Sequence, residues 1–128
     1  MPKTTTILIA DSDETSALYL EEAFYLFIRE SSRFRILKTA SGCGVLTICR
    51  QQAPGLLFID LWLEDCDGLD ICKSIKSNYP QVPLIIQTAT FGGENRKFQC
   101  EKLCDHCLIK PIHINDLQVA LSLFLHKA

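Results

Sequence analysis

The stretch Leu56-Leu-Phe-Ile-Asp60-Leu-Trp-Leu-Glu-Asp-Cys-Asp67-Gly68 decides how the rest of the chain is read. Four apolar residues run uninterrupted into an aspartate, the pattern of a strand covered on both faces. A carboxylate at the end of such a strand is costly to bury, so it either caps a turn or carries chemistry. After Asp67-Gly68, Leu69, Cys72 and Ile75 recur at helical spacing, which predicts a helix over 68–78.

Outward from that unit the same alternation repeats. Apolar runs at 7–10 (ILIA), 84–86 (LII) and 107–109 (CLI) predict strands, and FRILKT at 34–39 predicts a weaker one. Residues 14–30 place Leu18, Ala23, Phe24 and Phe27 near one helical face, with Ser12 or Asp13 available as N-cap. Leu117, Ala120, Leu121 and Phe124 predict a helix over 115–126, and shorter helices are expected over 44–52 and 93–103. Five strand–helix repeats imply a doubly wound parallel sheet with right-handed crossovers, in one α/β domain spanning residues 1–128.

Composition narrows the function classes. Charged residues are 22% and hydrophobic residues 48%, which is a folded profile rather than a disordered one. The net charge of -2, without a basic stripe, argues against direct nucleic-acid binding. The polar start MPKTTT lacks the apolar core of a signal peptide, and no run approaches the roughly 20 apolar residues of a membrane span. Seven cysteines, an odd number, then suggest reduced thiols in a cytoplasmic protein.

The residues after the apolar runs carry the functional signal. Asp11, Asp60, Gln87-Thr88 and Lys110 each close one run. In a parallel sheet those positions share one edge, where open α/β folds bind ligands. Taken singly, each has an ordinary role as a turn residue, strand former or surface lysine. Together they gather carboxylates, a hydroxyl and an ammonium in one crevice. Oxygen ligands of this kind suit Mg²⁺, and a lysine with a hydroxyl suits phosphoryl oxygens. The reaction class implied is phosphoryl transfer to or from a carboxylate.

LLFIDLWLEDCDGLDIC, with LIIQTAT and CLIKPI, resembles the receiver domain of two-component response regulators, the CheY-like superfamily. Asp11, Asp60, Asp67-Gly68, Thr88-Ala89 and Lys110-Pro111 stand in receiver order over nearly the whole chain. The resemblance implies a flavodoxin-like fold with strand order 2-1-3-4-5. It implies that Asp60 accepts a phosphoryl group from a sensor histidine kinase or phosphotransfer protein. Asp11, Asp60 and the Trp62 backbone carbonyl would hold Mg²⁺, with Asp13 or Ser12 as further candidates. Thr88 and Lys110 would contact the phosphoryl oxygens, and Lys110-Pro111 would be cis. Thr88, Cys107 and Pro111 would form the switch toward a downstream protein. Such a domain signals through a protein surface and is not an enzyme in the ordinary sense. Nothing follows residue 128, which suits a stand-alone regulator or a receiver cut from a longer protein.

Two positions depart from the receiver pattern. Ser12 replaces the second acid of the receiver pair, so weak Mg²⁺ binding is expected. Cys107 stands where many receivers carry an aromatic, and His106 beside it should face the other side of the strand. A pseudo-receiver that binds partners without phosphorylation is therefore one alternative. A second arises because DSDET at 11–15 literally matches the Asp-x-Asp-x-Thr motif of haloacid-dehalogenase-like phosphatases. There Asp11 would be the nucleophile and Asp13 the general acid, but Asp60 and Asp67-Gly68 would go unexplained.

Two further patterns carry expectations. CEKLCDHC at 100–107 has the cysteine spacing of radical-SAM iron–sulfur enzymes, yet its place on a helix and a strand favours buried thiols, with a zinc site including His106 as the alternative. Residues 24–28 and 123–125 are consecutively apolar, which implies wide burial or a partner or homodimer surface.

Overall fold

The five apolar runs form five parallel strands. The computed structural model describes residues 4–27 and 34–124. Its strands are β1 (Thr5–Ala10), β2 (Phe34–Thr39), β3 (Leu56–Ile59), β4 (Leu84–Thr88) and β5 (His106–Ile109), in the order β2-β1-β3-β4-β5. Three of the five strands, β1, β3 and β4, are buried along most or all of their length because helices cover both faces, while β2 and β5 are part-exposed edges. The helices are α1 (Glu14–Phe27), α2 (Gly42–Gln51), α3 (Gly68–Asn78), α4 (Glu94–Leu103) and α5 (Ile114–Phe124). This is the flavodoxin-like doubly wound sheet that the sequence implies.

Alternate strand residues feed two cores. Ile7, Ile9, Phe58 and Ile85 meet Leu20, Phe24, Leu117 and Leu121 of α1 and α5. Leu8, Leu57, Ile59 and Ile86 meet Val45, Cys49, Cys72, Ile75 and Cys100 of α2, α3 and α4. Each fully buried Leu, Ile or Phe contributes about 1.5–3 kcal/mol. Phe24 and Phe58 add an edge-to-face contact with ring centroids 5.3 Å apart.

Register places the strand ends. Ala10 pairs with Ile59, and Ile59 with Ile86, while Thr88 pairs with Ile109. The residues after these pairs therefore emerge side by side on one edge. Two backbone bonds continue the ladders past the strands, from the Asp60 N–H to the Ala10 carbonyl and from the Lys110 N–H to the Thr88 carbonyl, both 2.9 Å.

Several boundaries differ from the sequence expectation. The helix expected over 14–30 is seen through Phe27; residues 28–30 lie outside the described residues. α2 starts two residues before the expected 44, at Gly42. There the Asp65 carboxylate accepts the Gly42 and Cys43 N–H groups at 2.7 and 3.0 Å, a cap from a loop 22 residues away or more. α5 starts at Ile114 and is seen through Phe124; residues 125 and 126 lie outside the described residues. Wide burial does not hold for α1 or the end of α5, because Tyr25 is 64%, Leu26 62% and Leu123 52% exposed. Ile28 and Leu125 are outside the described residues. Among the described residues, no helix is long and apolar enough to cross a membrane.

Candidate functional site

At the C-terminal edge of the sheet, Asp11 and Asp60 follow adjacent strands, and both are buried. The Lys110 Nζ donates to Asp11 Oδ2 at 2.7 Å and to Asp60 Oδ2 at 2.5 Å. One ammonium thus serves two carboxylates. Burial works against the Lys110 charge, but the hydrogen bonds to Asp11 and Asp60 outweigh it and hold the ammonium above its ordinary range. Asp11, with no exposed side-chain surface, is pushed up by desolvation; half-share of one lysine and the Asp13 N–H do not fully offset it.

Gln87 closes the floor of the site. Its Nε2 donates to Asp11 Oδ2 at 3.3 Å, and its Oε1 is buried with no protein partner. Sequence reading placed Gln87 at the strand end but gave it no role. A polar residue inside the otherwise apolar β4 run was the available signal.

Ser12 and Asp13 both turn away from the carboxylates. Ser12 Oγ donates to the Trp62 carbonyl at 2.8 Å. Asp13 accepts the Thr15 N–H at 3.0 Å and the Ser16 hydroxyl at 3.1 Å, so it is the N-cap of α1 and its carboxyl is held below the usual range, chiefly by Ser16. Of the two N-cap candidates for α1, Asp13 is the cap and Ser12 is not, and the Asp13 side chain is not brought into the cluster. DSDET is thus a strand end followed by a helix cap, which accounts for its likeness to a phosphatase motif without a nucleophile–acid pair.

Across the crevice, Thr88 is fully buried and its Oγ1 donates to the Thr90 carbonyl at 2.8 Å. The same carbonyl accepts the Trp62 indole N–H at 2.9 Å. The Arg96 guanidinium lies over the Trp62 ring, 5.4 Å from its centroid. Arg96 also donates to Asp67 through both terminal nitrogens, at 2.6 and 2.9 Å, and through Nε to the Phe91 carbonyl at 2.8 Å. The Arg96 hydrogen bonds hold the Asp67 carboxyl below its usual range. This clasp ties the loop after β3 to the loop after β4. Sequence reading missed Thr90 and Arg96, because the contacts span loops far apart in the chain.

Asp67 has a second task, accepting the Leu69 N–H at 3.0 Å as N-cap of α3. Gly68 must be glycine, since a Cβ there would stand 2.3 Å from the Asp60 carbonyl oxygen. The Asp-Gly pair therefore brings the start of α3 directly against the end of β3. Lys110-Pro111 is cis, as expected. Cys107 packs toward α3 and α4, while His106 faces Phe124 on the other side of the sheet, as strand alternation required.

Residues 7–122 match the response regulator receiver domain family. The chain belongs to that family. Among its relatives, the probable transcriptional regulatory protein TcrX of Mycobacterium tuberculosis is 25% identical over 95% of this chain and 50% of its own length. The chain spans half the length or less of the curated relatives it matches. A crystal structure of a putative response regulator from Chloroflexus aurantiacus superposes with a TM-score of 0.81 at 25% identity, covering 96% of this chain and 98% of that one. The Mn²⁺-bound form of response regulator Rcp1 superposes at 0.79 and 20% identity, over 97% and 96% of the two chains. This receiver is a signalling domain of the two-component type rather than a classical enzyme.

Asp11, Asp60 and the Trp62 carbonyl offer hard oxygens around one crevice, which suits Mg²⁺ with several retained waters. The fit is thinner than a cup with a third carboxylate, because Ser12 spends its proton on Trp62 and Asp13 is committed to α1. Among the described residues, no group of three His, Cys, Asp or Glu could hold a metal, so the zinc alternative with His106 gains no support.

Proposed function

We propose that this receiver accepts a phosphoryl group on Asp60 from the phosphohistidine of a sensor histidine kinase or a phosphotransfer protein, and thereby changes a surface read by a downstream protein. The observation that carries this reading is the Lys110 ammonium bridging Asp11 and Asp60 at 2.7 and 2.5 Å. A carboxylate oxygen of Asp60 attacks phosphorus, the donor's P–N bond breaks, and the imidazole leaves with the electron pair and takes up a proton. Lys110 can leave Asp60 Oδ2 and follow the charge onto a phosphoryl oxygen while keeping Asp11 as its second partner. Mg²⁺, held by Asp11, Asp60 and the Trp62 carbonyl, would neutralise charge on the phosphoryl oxygens.

The switch begins at Thr88. Its hydroxyl is engaged with the Thr90 carbonyl, and a phosphoryl group bringing about two negative charges offers a stronger acceptor. Turning Thr88 inward removes one of the two donors on Thr90 and loosens the clasp to Trp62. With Cys107 in place of a large aromatic, this coupling passes through the clasp rather than a ring beside Thr88.

The test is intact mass after incubation with Mg²⁺ and a small phosphodonor. Wild type should gain one phosphoryl group, Asp60→Asn none, and Asp11→Asn a smaller amount. Label surviving in Asp60→Asn but lost in Asp11→Asn would favour a phosphatase-like nucleophile at Asp11. Absence of label in wild type would favour a receiver that works without phosphorylation.

A further inference from the structure

At the corner where α4 meets β5, Cys104 and Cys107 bring their sulfurs to 2.9 Å, closer than two thiols approach without sharing a proton or a bond. The corner is held rigidly. Cys104 ends α4, its N–H donating to the Cys100 carbonyl at 2.9 Å. Asp105 donates its N–H to the Leu84 carbonyl at 2.8 Å, and its carboxylate accepts the Leu84 N–H at 2.7 Å and the Lys76 ammonium at 3.1 Å. Cys107 is fixed by pairing with Ile86 of β4. The two sulfurs are thus presented to each other by backbone anchored on both sides.

We propose that Cys104 and Cys107 form a dithiol–disulfide site oxidised by hydroperoxides, with Cys104 as the attacking sulfur and Cys107 as the resolving one. Both are half-buried rather than sealed. Cys72 and Cys100 are wholly buried beside them, which keeps those thiols inert. The Cys107 S–H and nearby backbone N–H groups stabilise a Cys104 thiolate and lower its pKa, while the neighbouring sulfur and burial push Cys107 up. Among the described residues no third ligand completes a metal site here.

The step balances as follows. The Cys104 thiolate attacks one peroxide oxygen, the O–O bond breaks, and hydroxide leaves, giving a sulfenic acid at Cys104. Cys107 passes its proton to that hydroxide and attacks the Cys104 sulfur, and the S–O bond breaks as the second oxygen leaves as hydroxide and takes back from solvent the proton that Cys104 had released, becoming water. Both sulfurs are oxidised, two electrons reach the peroxide, and the net products are one disulfide and two waters. Bond formation needs the sulfurs to approach by only about 0.9 Å. The bond would staple the end of α4 to the strand that leads into Lys110.

The test reads thiols, so it succeeds or fails independently of phosphorylation at Asp60. Reduced protein is treated with equimolar hydrogen peroxide, alkylated, digested and mapped by mass. The Cys104–Cys107 disulfide should form at least about tenfold faster than exposed Cys43 loses its free thiol. In Cys107→Ser, a dione probe should trap a sulfenic acid at Cys104. Cys104→Ser should slow oxidation of Cys107 by about tenfold or more. The proposal is overturned if wild-type Cys104 and Cys107 stay alkylatable while Cys43 is oxidised, or if a disulfide links a different pair. Because the wild-type map decides alone, a variant that folds poorly does not blunt the test.

Discussion

On the β1 side of the crevice, Ser12 and Asp13 direct their oxygens to the Trp62 carbonyl and the α1 terminus, whereas on the β4 side Trp62, Arg96 and Asp67 close on one another and on Thr90. The first wall commits its hydroxyl and its second carboxylate to backbone groups. The second is a clasp with a bidentate ion pair and a stacked ring. Lys110 stands between them and holds both carboxylates. The two walls thus differ in what holds them: hydrogen bonds to backbone on the first, an ion pair and a ring on the second.

The largest expected effect comes from removing the shared counter-ion. Lys110→Met strands two buried carboxylates and should cost about 3 kcal/mol in urea unfolding at neutral pH. The deficit should shrink as pH falls toward 4, because protonation relieves the stranded charges. An unchanged unfolding midpoint would mean that the two walls do not depend on the lysine. Arg96→Ala comes next. Losing the Asp67 pair and the stacking on Trp62 should cost about 1 kcal/mol and shift Trp62 emission to the red. Emission that does not move would place the clasp outside the Trp62 environment.

A smaller effect distinguishes the walls by acid titration. Asp11 is raised in the folded protein, so its contribution is present below about pH 3.9 and lost as pH rises through its folded value. Asp67 is lowered, so its contribution is present above about pH 3.9 and lost as pH falls through its folded value. Stability profiles of Asp11→Asn and Asp67→Asn should therefore diverge from wild type in opposite directions. Asp11→Asn gains on wild type as pH rises from about 4, and Asp67→Asn approaches wild type as pH falls below it. Parallel profiles would erase the distinction.

The unequal walls also show what a sequence can carry. Helix positions and the meeting of Asp11, Asp60 and Lys110 were legible, since uninterrupted apolar runs ending in polar residues dictate a parallel sheet with its chemistry on one edge, whereas the strand order came only with the resemblance to receivers. The Asp67-Gly68 pair was legible as part of the receiver pattern, but the close approach to the Asp60 carbonyl that forbids a Cβ was not. Asp13 could not be placed from sequence, because capping α1 and joining the carboxylates are both open to an aspartate at that position. The Trp62–Thr90–Arg96 clasp and the Asp65 cap on α2 depend on side chains crossing between loops, where no periodicity exists to reveal them.

The most direct test follows phosphoryl gain by intact mass during a Mg²⁺ titration with a small phosphodonor, comparing wild type with Ser12→Asp and mapping the label. Placing a carboxylate at position 12 should lower the half-saturating Mg²⁺ concentration by about tenfold, with the phosphoryl group on Asp60 in both proteins. Equal half-saturation, or label on Asp11, would contradict the account.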